Sequence, residues 1–185
     1  MRIISGKWKG RRLYSVKGSN TRPTSDRVKE AVFNIIREKI EDSNILDIFA
    51  GTGSMGFEAL SRGSNKTVFI ERDIRAAQII VKNAKMLECH HMIQIIKKDV
   101  FRALDDLAKS EYIFDIIFID PPYSTNIEKD VILSILEAGI MDAKGIIILE
   151  HDYRDKMLDK IGEIVKFDLR KYGNTGISLY TKGDF

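Results

Sequence analysis

Cysteine is almost absent from this 185-residue chain, which contains only Cys89. A single cysteine excludes an internal disulfide framework and is typical of the reducing cytoplasm, where we expect this protein to act. Long apolar runs are also missing, because no stretch approaches the roughly 20 residues that cross a membrane. The first residues are charged and lack the apolar segment of a signal peptide. We therefore expect a single main domain with no membrane partner.

Histidine is scarce as well, with three residues in the chain. His90 and His91 are neighbours, and adjacent positions on a helix do not share a face, so they do not make a metal pair. His151 stands alone. We therefore expect no metal site. The chain also lacks the G-x-S-x-G motif of serine hydrolases, the phosphate-binding loop of nucleoside triphosphatases and the C-x-x-C redox motif.

Acidic residues are rare in the first 29 positions, where nine lysines and arginines accompany a single acid, Asp26. Because the whole chain has a net charge of +3, a basic stretch precedes a mildly acidic body. This asymmetry indicates a polyanionic partner, and the alternative is a solvated basic tail. Apolar residues and glycines among the basic ones favour a folded hairpin. We predict a basic β-hairpin over residues 1–20, with Lys7, Lys9 and Arg11 as substrate contacts, and one domain over residues 21–185.

The remainder of the chain alternates between short apolar runs and helical patterns. Continuous apolar strands separated by helices predict a parallel sheet covered on both faces, with a ligand beyond the carboxyl ends of the strands. The fold class is therefore α/β, with a doubly wound, mostly parallel seven-stranded sheet and an amino-terminal hairpin. Strands are predicted at 44–49, 66–71, 93–97, 113–119, 145–150, 163–172 and 177–182. Helices are predicted at 26–40, 54–62, 73–88, 101–109, 128–140 and 153–161.

A glycine-rich loop follows the first of the parallel strands. Residues 51–56 read Gly-Thr-Gly-Ser-Met-Gly, a G-x-G-x-x-G match that opens a helix. Glycines there permit a tight turn and allow the backbone to approach a ligand closely. The context favours a nucleotide-type cofactor, and the alternative is a purely structural turn.

Acidic residues recur at the predicted strand ends. Glu71 can accept both hydroxyl groups of a ribose, and Asp99 can accept an exocyclic amine of adenine while the Val100 amide donates to the ring. Asp47 lies in the first strand and Asp120 ends the fourth. Unit charges ~6 Å apart at an effective dielectric of ~20 interact by roughly 2–3 kcal/mol. A ring of such carboxylates attracts the sulfonium of S-adenosyl-L-methionine. It repels the pyrophosphate of NAD, which is the alternative cofactor.

The motif Asp120-Pro121-Pro122-Tyr123 follows an apolar run that reads as a buried strand. Two prolines cannot extend a strand, because each lacks a backbone donor and fixes its own φ. A stiff turn therefore presents an acid, carbonyl oxygens and an aromatic ring. Asp120 and the Pro121 carbonyl can accept the two N–H groups of a planar amine, and Tyr123 can stack on an unpaired base. The alternative is a structural turn.

These features together resemble class I S-adenosylmethionine-dependent methyltransferases, and more narrowly the RsmD family. The narrower likeness rests on three stretches: residues 2–10, residues 21–30, which begin Thr-Arg-Pro-Thr-Ser-Asp-Arg, and residues 172–175. The resemblance implies methylation of the exocyclic N2 of a guanine in 16S ribosomal RNA, on free RNA or an assembling small subunit, with no obligate protein partner. It also implies that Arg22, Thr24 and Arg27 lie close to the site. By the same likeness, the cofactor is held by Asp47, Gly51, Gly53, Glu71, Asp99 and Val100, and the guanine is held by Asp120, Pro121, Pro122 and Tyr123.

Other functions remain open from these residues. The same four-residue motif occurs in enzymes that methylate adenine N6 in DNA, so the methyl acceptor is another amine in one alternative. A further alternative is a non-catalytic assembly factor that binds ribosomal RNA. If the hairpin is the RNA contact, deletion of residues 1–18 weakens RNA binding and its salt dependence while cofactor affinity stays near that of the wild type.

Overall fold

An eight-stranded sheet forms the centre of the protein in the computed structural model, which describes residues 1–16, 25–122 and 127–183. The strand order is β3-β2-β1-β4-β5-β8-β7-β6. The first five strands pair in parallel, and β8, β7 and β6 add antiparallel strands at one side. The strands are β1 Asn44–Ile48, β2 Lys66–Ile70, β3 Ile93–Ile96, β4 Phe114–Ile119, β5 Met141–Asp152, β6 Lys160–Ile161, β7 Ile164–Tyr172 and β8 Thr175–Lys182.

Among the described residues, one α-helix precedes β1 and four occupy connections between successive strands. Each of the first two connections crosses over to place a strand parallel to its predecessor, as expected for strands that are buried on both faces. Two apolar clusters lie against the two faces of the sheet, and both contain residues of the central strands. The helices are α1 Asp26–Ile35, α2 Ser54–Ser61, α3 Ile74–Met86, α4 Val100–Leu107 and α5 Glu128–Ala138.

The predicted α/β fold is confirmed, with eight strands rather than seven. The additional strand is the two-residue β6, which pairs with the start of β7. It lies inside the predicted helix 153–161, and that prediction is wrong. The carbonyl groups of Met157, Leu158 and Asp159 accept bonds from β7 and β8, which hold this stretch against the sheet instead of in a helix.

Helix α1 is shorter than predicted. The Ser25 side chain accepts a hydrogen bond from the Val28 amide and caps its start. The helix ends at Ile35, and residues 37–39 continue as a single 3-10 turn. Its apolar side still reaches the core, because Val32, Phe33 and Ile36 are almost fully buried.

Residues 1–16, called the N-terminal segment below, run out and back along one side of helices α2 and α3. An antiparallel bridge joins Arg2 to Arg12, so the ladder of the predicted hairpin is short. The turn between them passes close to α2, where a Cβ on Gly6 would lie 1.8 Å from the Ser61 carbonyl oxygen. Ile3 is fully buried and Leu13 is nearly so. The segment is therefore packed on the domain rather than extended from it.

Candidate active site

The site lies where the chain changes direction across the sheet. Strand β1 has β2 on one side and β4 on the other, so the connections that leave β1 and β4 diverge at their carboxyl ends. In α/β sheets this crevice is where ligands bind. Ile48 and Ile119 are paired at the ends of these strands. The glycine-rich loop follows the first, and Asp120 follows the second.

The glycine-rich loop needs its glycines for different reasons. Gly53 has a φ of +81°, in the left-handed region, and a Cβ there would lie 2.7 Å from the Phe57 ring. At Gly56 a Cβ would lie 2.3 Å from the Phe69 ring. Gly51 also has a positive φ, +56°, but nothing lies within 4 Å of its Cβ position. Packing therefore fixes the second and third glycines, whereas the first borders open space.

Glu71 is joined to this loop directly. One of its carboxylate oxygens accepts the Gly51 amide at 2.8 Å, and the other accepts the Asp73 amide at 2.7 Å. Asp73 in turn caps helix α3. Because a carboxylate has about four acceptor positions, two remain for a ligand such as a ribose. Glu71 thus stands at the rim of the loop.

Asp47 is the most buried acid of the group, with 4% of its surface exposed. Its Oδ2 accepts the Gly56 amide at 2.9 Å and so ties β1 to the start of α2. Burial raises the pKa of Asp47 to about 7, the bond from Gly56 opposes that rise and the charge of Glu71 adds to it. This carboxyl group therefore changes its charge near neutral pH.

Asp120 faces the same small cavity as Asp47 and Glu150. Burial raises the pKa of Asp120 well above its ordinary value, and the charges of Glu150 and Asp47 raise it further. The cavity is about 20 Å³, enough for one water-sized group, and apolar side chains such as Met55 and Phe118 complete its wall. Three carboxyl groups around one apolar cavity favour a cation as their neighbour.

The other predicted site residues differ in their surroundings. Asp99 is the N-cap of α4, and its Oδ1 accepts the Phe101 amide at 3.1 Å. Val100 is the first residue of that helix and is 4% exposed. Pro121 is buried beside Asp120, while Pro122 is exposed. Tyr123, Arg22 and Thr24 lie outside the described residues.

The predicted RNA contacts Lys7, Lys9, Arg11 and Arg27 are all exposed. Lys7 Nζ lies 4.3 Å from the centroid of the Trp8 ring and 3.7 Å from the sulfur of Met92. The N-terminal segment therefore presents cations to solvent while its backbone is bound to the domain. Arg27 is on α1, close in sequence to the part of the chain that the structure leaves undescribed.

Four buried polar residues that contact the N-terminal segment were not predicted from the sequence. Lys29, Glu58 and Asn83 have no exposed surface, and Ser61 has 3%. The sequence does indicate that Lys29 is buried, because this residue falls on the same helical stripe as Phe33 and Ile36, where an apolar residue is expected. Each of the four contacts the N-terminal segment through its side chain.

A metal-binding cluster and a membrane-spanning helix are both absent from the part of the chain that the structure describes. Among the described residues, no group of three or more His, Cys, Asp and Glu side chains is arranged to hold a metal ion. In the same part of the chain, no helix is long and apolar enough to cross a membrane.

The sheet order, the glycine-rich loop after β1 and the acid-Pro-Pro turn after β4 define a class I S-adenosylmethionine-dependent methyltransferase. A family model described as Conserved hypothetical protein 95 matches residues 1–181. The chain belongs to this family, which is the RsmD family, and the resemblance predicted from the sequence is confirmed.

Relatives are similar over most of their length. YlbH of Bacillus subtilis, provisionally named an rRNA methyltransferase, is 41% identical over 182 residues, which cover 98% of this chain and 99% of that protein. Ribosomal RNA small subunit methyltransferase D of Haemophilus influenzae is 37% identical, over 85% of this chain and 81% of its own. The structure of yhhF from Escherichia coli, provisionally named a methyltransferase, superposes with a TM-score of 0.86 at 30% identity, covering 98% and 97% of the two chains.

Proposed function

We propose that this protein transfers a methyl group from S-adenosyl-L-methionine to the exocyclic N2 amine of a guanine in 16S ribosomal RNA. One observation carries the proposal: the glycine-rich loop and the acid-Pro-Pro turn meet at the carboxyl ends of β1 and β4. A cofactor loop and an amine-binding turn are thereby neighbours. The names of the relatives support ribosomal RNA of the small subunit as the substrate.

The residues present fit the cofactor. The open space beside Gly51 admits a ligand close to the backbone, and Glu71 has acceptor positions for the ribose hydroxyl groups. Asp47 and Asp120 are carboxyl groups whose ionisation is opposed by burial, and a neighbouring cation relieves that cost. When bound, the cofactor supplies an electrophilic methyl carbon on a positively charged sulfur.

The protein's own contribution is orientation of the guanine amine. An exocyclic amine is a poor nucleophile because its lone pair is delocalised into the ring. Asp120 and the Pro121 carbonyl would accept its two N–H groups and direct the nitrogen toward the methyl carbon. Transfer would form one N–C bond as the S–C bond to the methyl group breaks and S-adenosylhomocysteine leaves, and the nitrogen would lose one proton, which we assign to Asp120 as acceptor. Tyr123 would stack on the base, and Asp99 and Val100 would contact the adenine of the cofactor.

The basic side chains of the N-terminal segment would bind the phosphates of the RNA. Lys7, Lys9 and Arg11 are exposed together on it, and we assign them this role with Arg22, Thr24 and Arg27 nearer the guanine. We also propose that the enzyme acts in the cytoplasm, on 16S RNA or an assembling small subunit, without an obligate protein partner.

Methyl-labelled cofactor and unmodified 16S ribosomal RNA test the function. We expect label on one guanine N2, and we expect Asp120→Ala to abolish transfer while most S-adenosylhomocysteine affinity remains. Asp105→Ala, which removes an exposed carboxylate on α4, is the matched control and should keep full activity. Label on adenine or in DNA would favour the alternative acceptors. RNA binding without any transfer would favour a non-catalytic assembly factor, and binding of NAD instead would contradict the proposal.

A further inference from the structure

One buried amide joins the N-terminal segment to the glycine-rich loop. The Asn83 Oδ1 accepts the Tyr14 amide at 2.8 Å, and its Nδ2 donates to the Tyr14 carbonyl and to the Thr52 carbonyl, each at 3.2 Å. Asn83 has no exposed surface. Its side chain therefore bonds to two stretches of backbone that are 38 positions apart in sequence.

A buried ammonium group makes a second connection between the same two stretches. Lys29 Nζ donates to the Arg2 carbonyl at 2.6 Å and to the Ser54 hydroxyl at 3.3 Å. The Glu58 carboxylate lies 3.6 Å from it, and its two oxygens accept the Ile4 and Ser5 amides. Neither charged side chain has exposed surface. Thr52 and Ser54 flank Gly53, so both connections end in the loop.

The outer side of the N-terminal segment carries cations that are close together. Arg2 and Arg12 are direct partners in the antiparallel bridge, and like charges in such a pair repel. Arg2 has Asp26 as a partner at 2.9 Å. An open pocket of about 320 Å³ is lined by Met1, Arg2, Arg12 and Asp26. A phosphate bound there would relieve the repulsion between Arg2 and Arg12, and it would thereby stabilise the docked form of the segment.

We propose that Asn83 and Lys29 are positioning residues that couple RNA binding at the N-terminal segment to cofactor binding at the glycine-rich loop. This inference rests on the proposed function, which supplies RNA and cofactor as the two ligands. If the segment leaves its docked position, the amide and the ammonium group lose their hydrogen-bond partners on that side. Loss of these bonds is unfavourable, so the loop and the segment favour one joint arrangement.

Coupling of this kind is reciprocal. An RNA that binds the docked form of the segment stabilises the loop in the form that binds cofactor, and the cofactor strengthens RNA binding by the same factor. The segment is then part of the cofactor site's support as well as an RNA contact. Deletion of residues 1–16 should accordingly weaken cofactor binding, contrary to the expectation for a separable arm.

Calorimetric titration with S-adenosylhomocysteine measures the coupling. We compare its Kd without RNA and with saturating unmodified 16S RNA. For the wild type we expect the RNA to lower this Kd by about twofold, because the segment is already docked without RNA and only the undocked fraction can be recruited. Asn83→Ala and Ser54→Ala each remove one connection. In each variant, the factor by which RNA lowers the Kd should fall toward one. Tyr14→Ala is the control, because Asn83 bonds to the backbone of Tyr14, and it should keep the wild-type factor at saturating RNA.

Thermal unfolding shows whether Asn83→Ala folds; if it does not, Ser54→Ala decides the test, since it removes only a half-buried hydroxyl group. A factor of one in the wild type, or the wild-type factor in both folded variants, would overturn the inference. Absence of S-adenosylhomocysteine binding by the wild type would instead contradict the proposed function, so the two failures differ.

Discussion

The carboxylate of Glu71 accepts the Gly51 amide at 2.8 Å and thereby joins the end of β2 to the loop that follows β1. The same carboxylate accepts the Asp73 amide, which belongs to the N-cap of α3. Three structural elements therefore meet at one side chain. The acid at this strand end supports the shape of the loop before any ligand is bound.

Alanine substitution should separate the roles of two loop glycines. At Gly51, φ is +56° and the Cβ position is open, so we expect Gly51→Ala to cost roughly 1–2 kcal/mol of stability. Its methyl group would occupy the space assigned to the cofactor, and the affinity for S-adenosylhomocysteine should fall at least tenfold. Gly56→Ala forces a methyl group to 2.3 Å from the Phe69 ring and should mainly destabilise the fold. Thermal unfolding and calorimetry check both; equal effects on affinity would contradict the assignment of Gly51.

The two forms of the cofactor should respond differently to pH. Burial holds the pKa of Asp47 at about 7 and raises the pKa of Asp120 well above its ordinary value. As pH rises from 6 to 8, Asp47 becomes negatively charged and attracts the sulfonium of S-adenosylmethionine. S-adenosylhomocysteine is the matched control, because its sulfur is uncharged.

We expect the affinity ratio of S-adenosylmethionine to S-adenosylhomocysteine to rise by roughly tenfold between pH 6 and pH 8. Titrations at several pH values measure the ratio. Binding of the charged form near pH 6.5 should also release protons, which titrations in buffers of different ionisation enthalpy detect. A ratio that does not change with pH would show that these carboxyl groups do not face the sulfonium.

Folding stability should depend on the ionisation of Asp47. Its pKa is about 7 in the folded protein and ordinarily 3.8, so between these values the folded state holds a proton that the unfolded state has lost. Stability therefore falls as pH rises through this window, and the full cost above it is at most ~4 kcal/mol at 1.36 kcal/mol per pKa unit. We expect Asp47→Asn to be more stable than the wild type at pH 8 and nearly equal to it at pH 4. Urea unfolding at both pH values tests the sign.

Two glycines of the N-terminal segment make a matched pair. Gly6 and Gly10 have φ values of +82° and +83°, so alanine is strained equally at both. A Cβ on Gly6 would overlap the Ser61 carbonyl oxygen, whereas nothing lies within 4 Å at Gly10. Gly6→Ala should therefore undock the turn and lower stability by several kcal/mol, compared with about 1–2 kcal/mol for Gly10→Ala. Proteolysis of the segment and thermal unfolding measure the difference; similar losses would show that the contact with α2 is unimportant.

Local patterns predicted the centre of the molecule well. Strands β1, β2 and β4 are mostly apolar, and their ends differ from the predicted ends by a residue or two. They are followed within three residues by Gly51, Glu71 and Asp120. Gly51, Glu71 and Asp120 could be predicted as neighbours because parallel strands bring their carboxyl ends to one edge of a sheet.

Long-range polar contacts could not be predicted in this way. Nothing in the pattern around Asn83 or Lys29 indicates that each bonds to the N-terminal segment, because such partners depend on tertiary packing. The failed helix at 153–161 has the same origin. Its local pattern is compatible with a helix, but the carbonyl groups of Leu158 and Asp159 bond to β8 and β7.

The docking of the N-terminal segment has a consequence for biosynthesis. The side chains at positions 58, 61 and 83, which bond to the backbone of this segment, follow it by 53 to 69 positions in the chain. The segment must therefore emerge from the ribosome before its binding surface exists. Contacts so distant in sequence form slowly, and a nascent chain that stalls before α3 would expose Ile3 and Leu13 beside a cluster of cations.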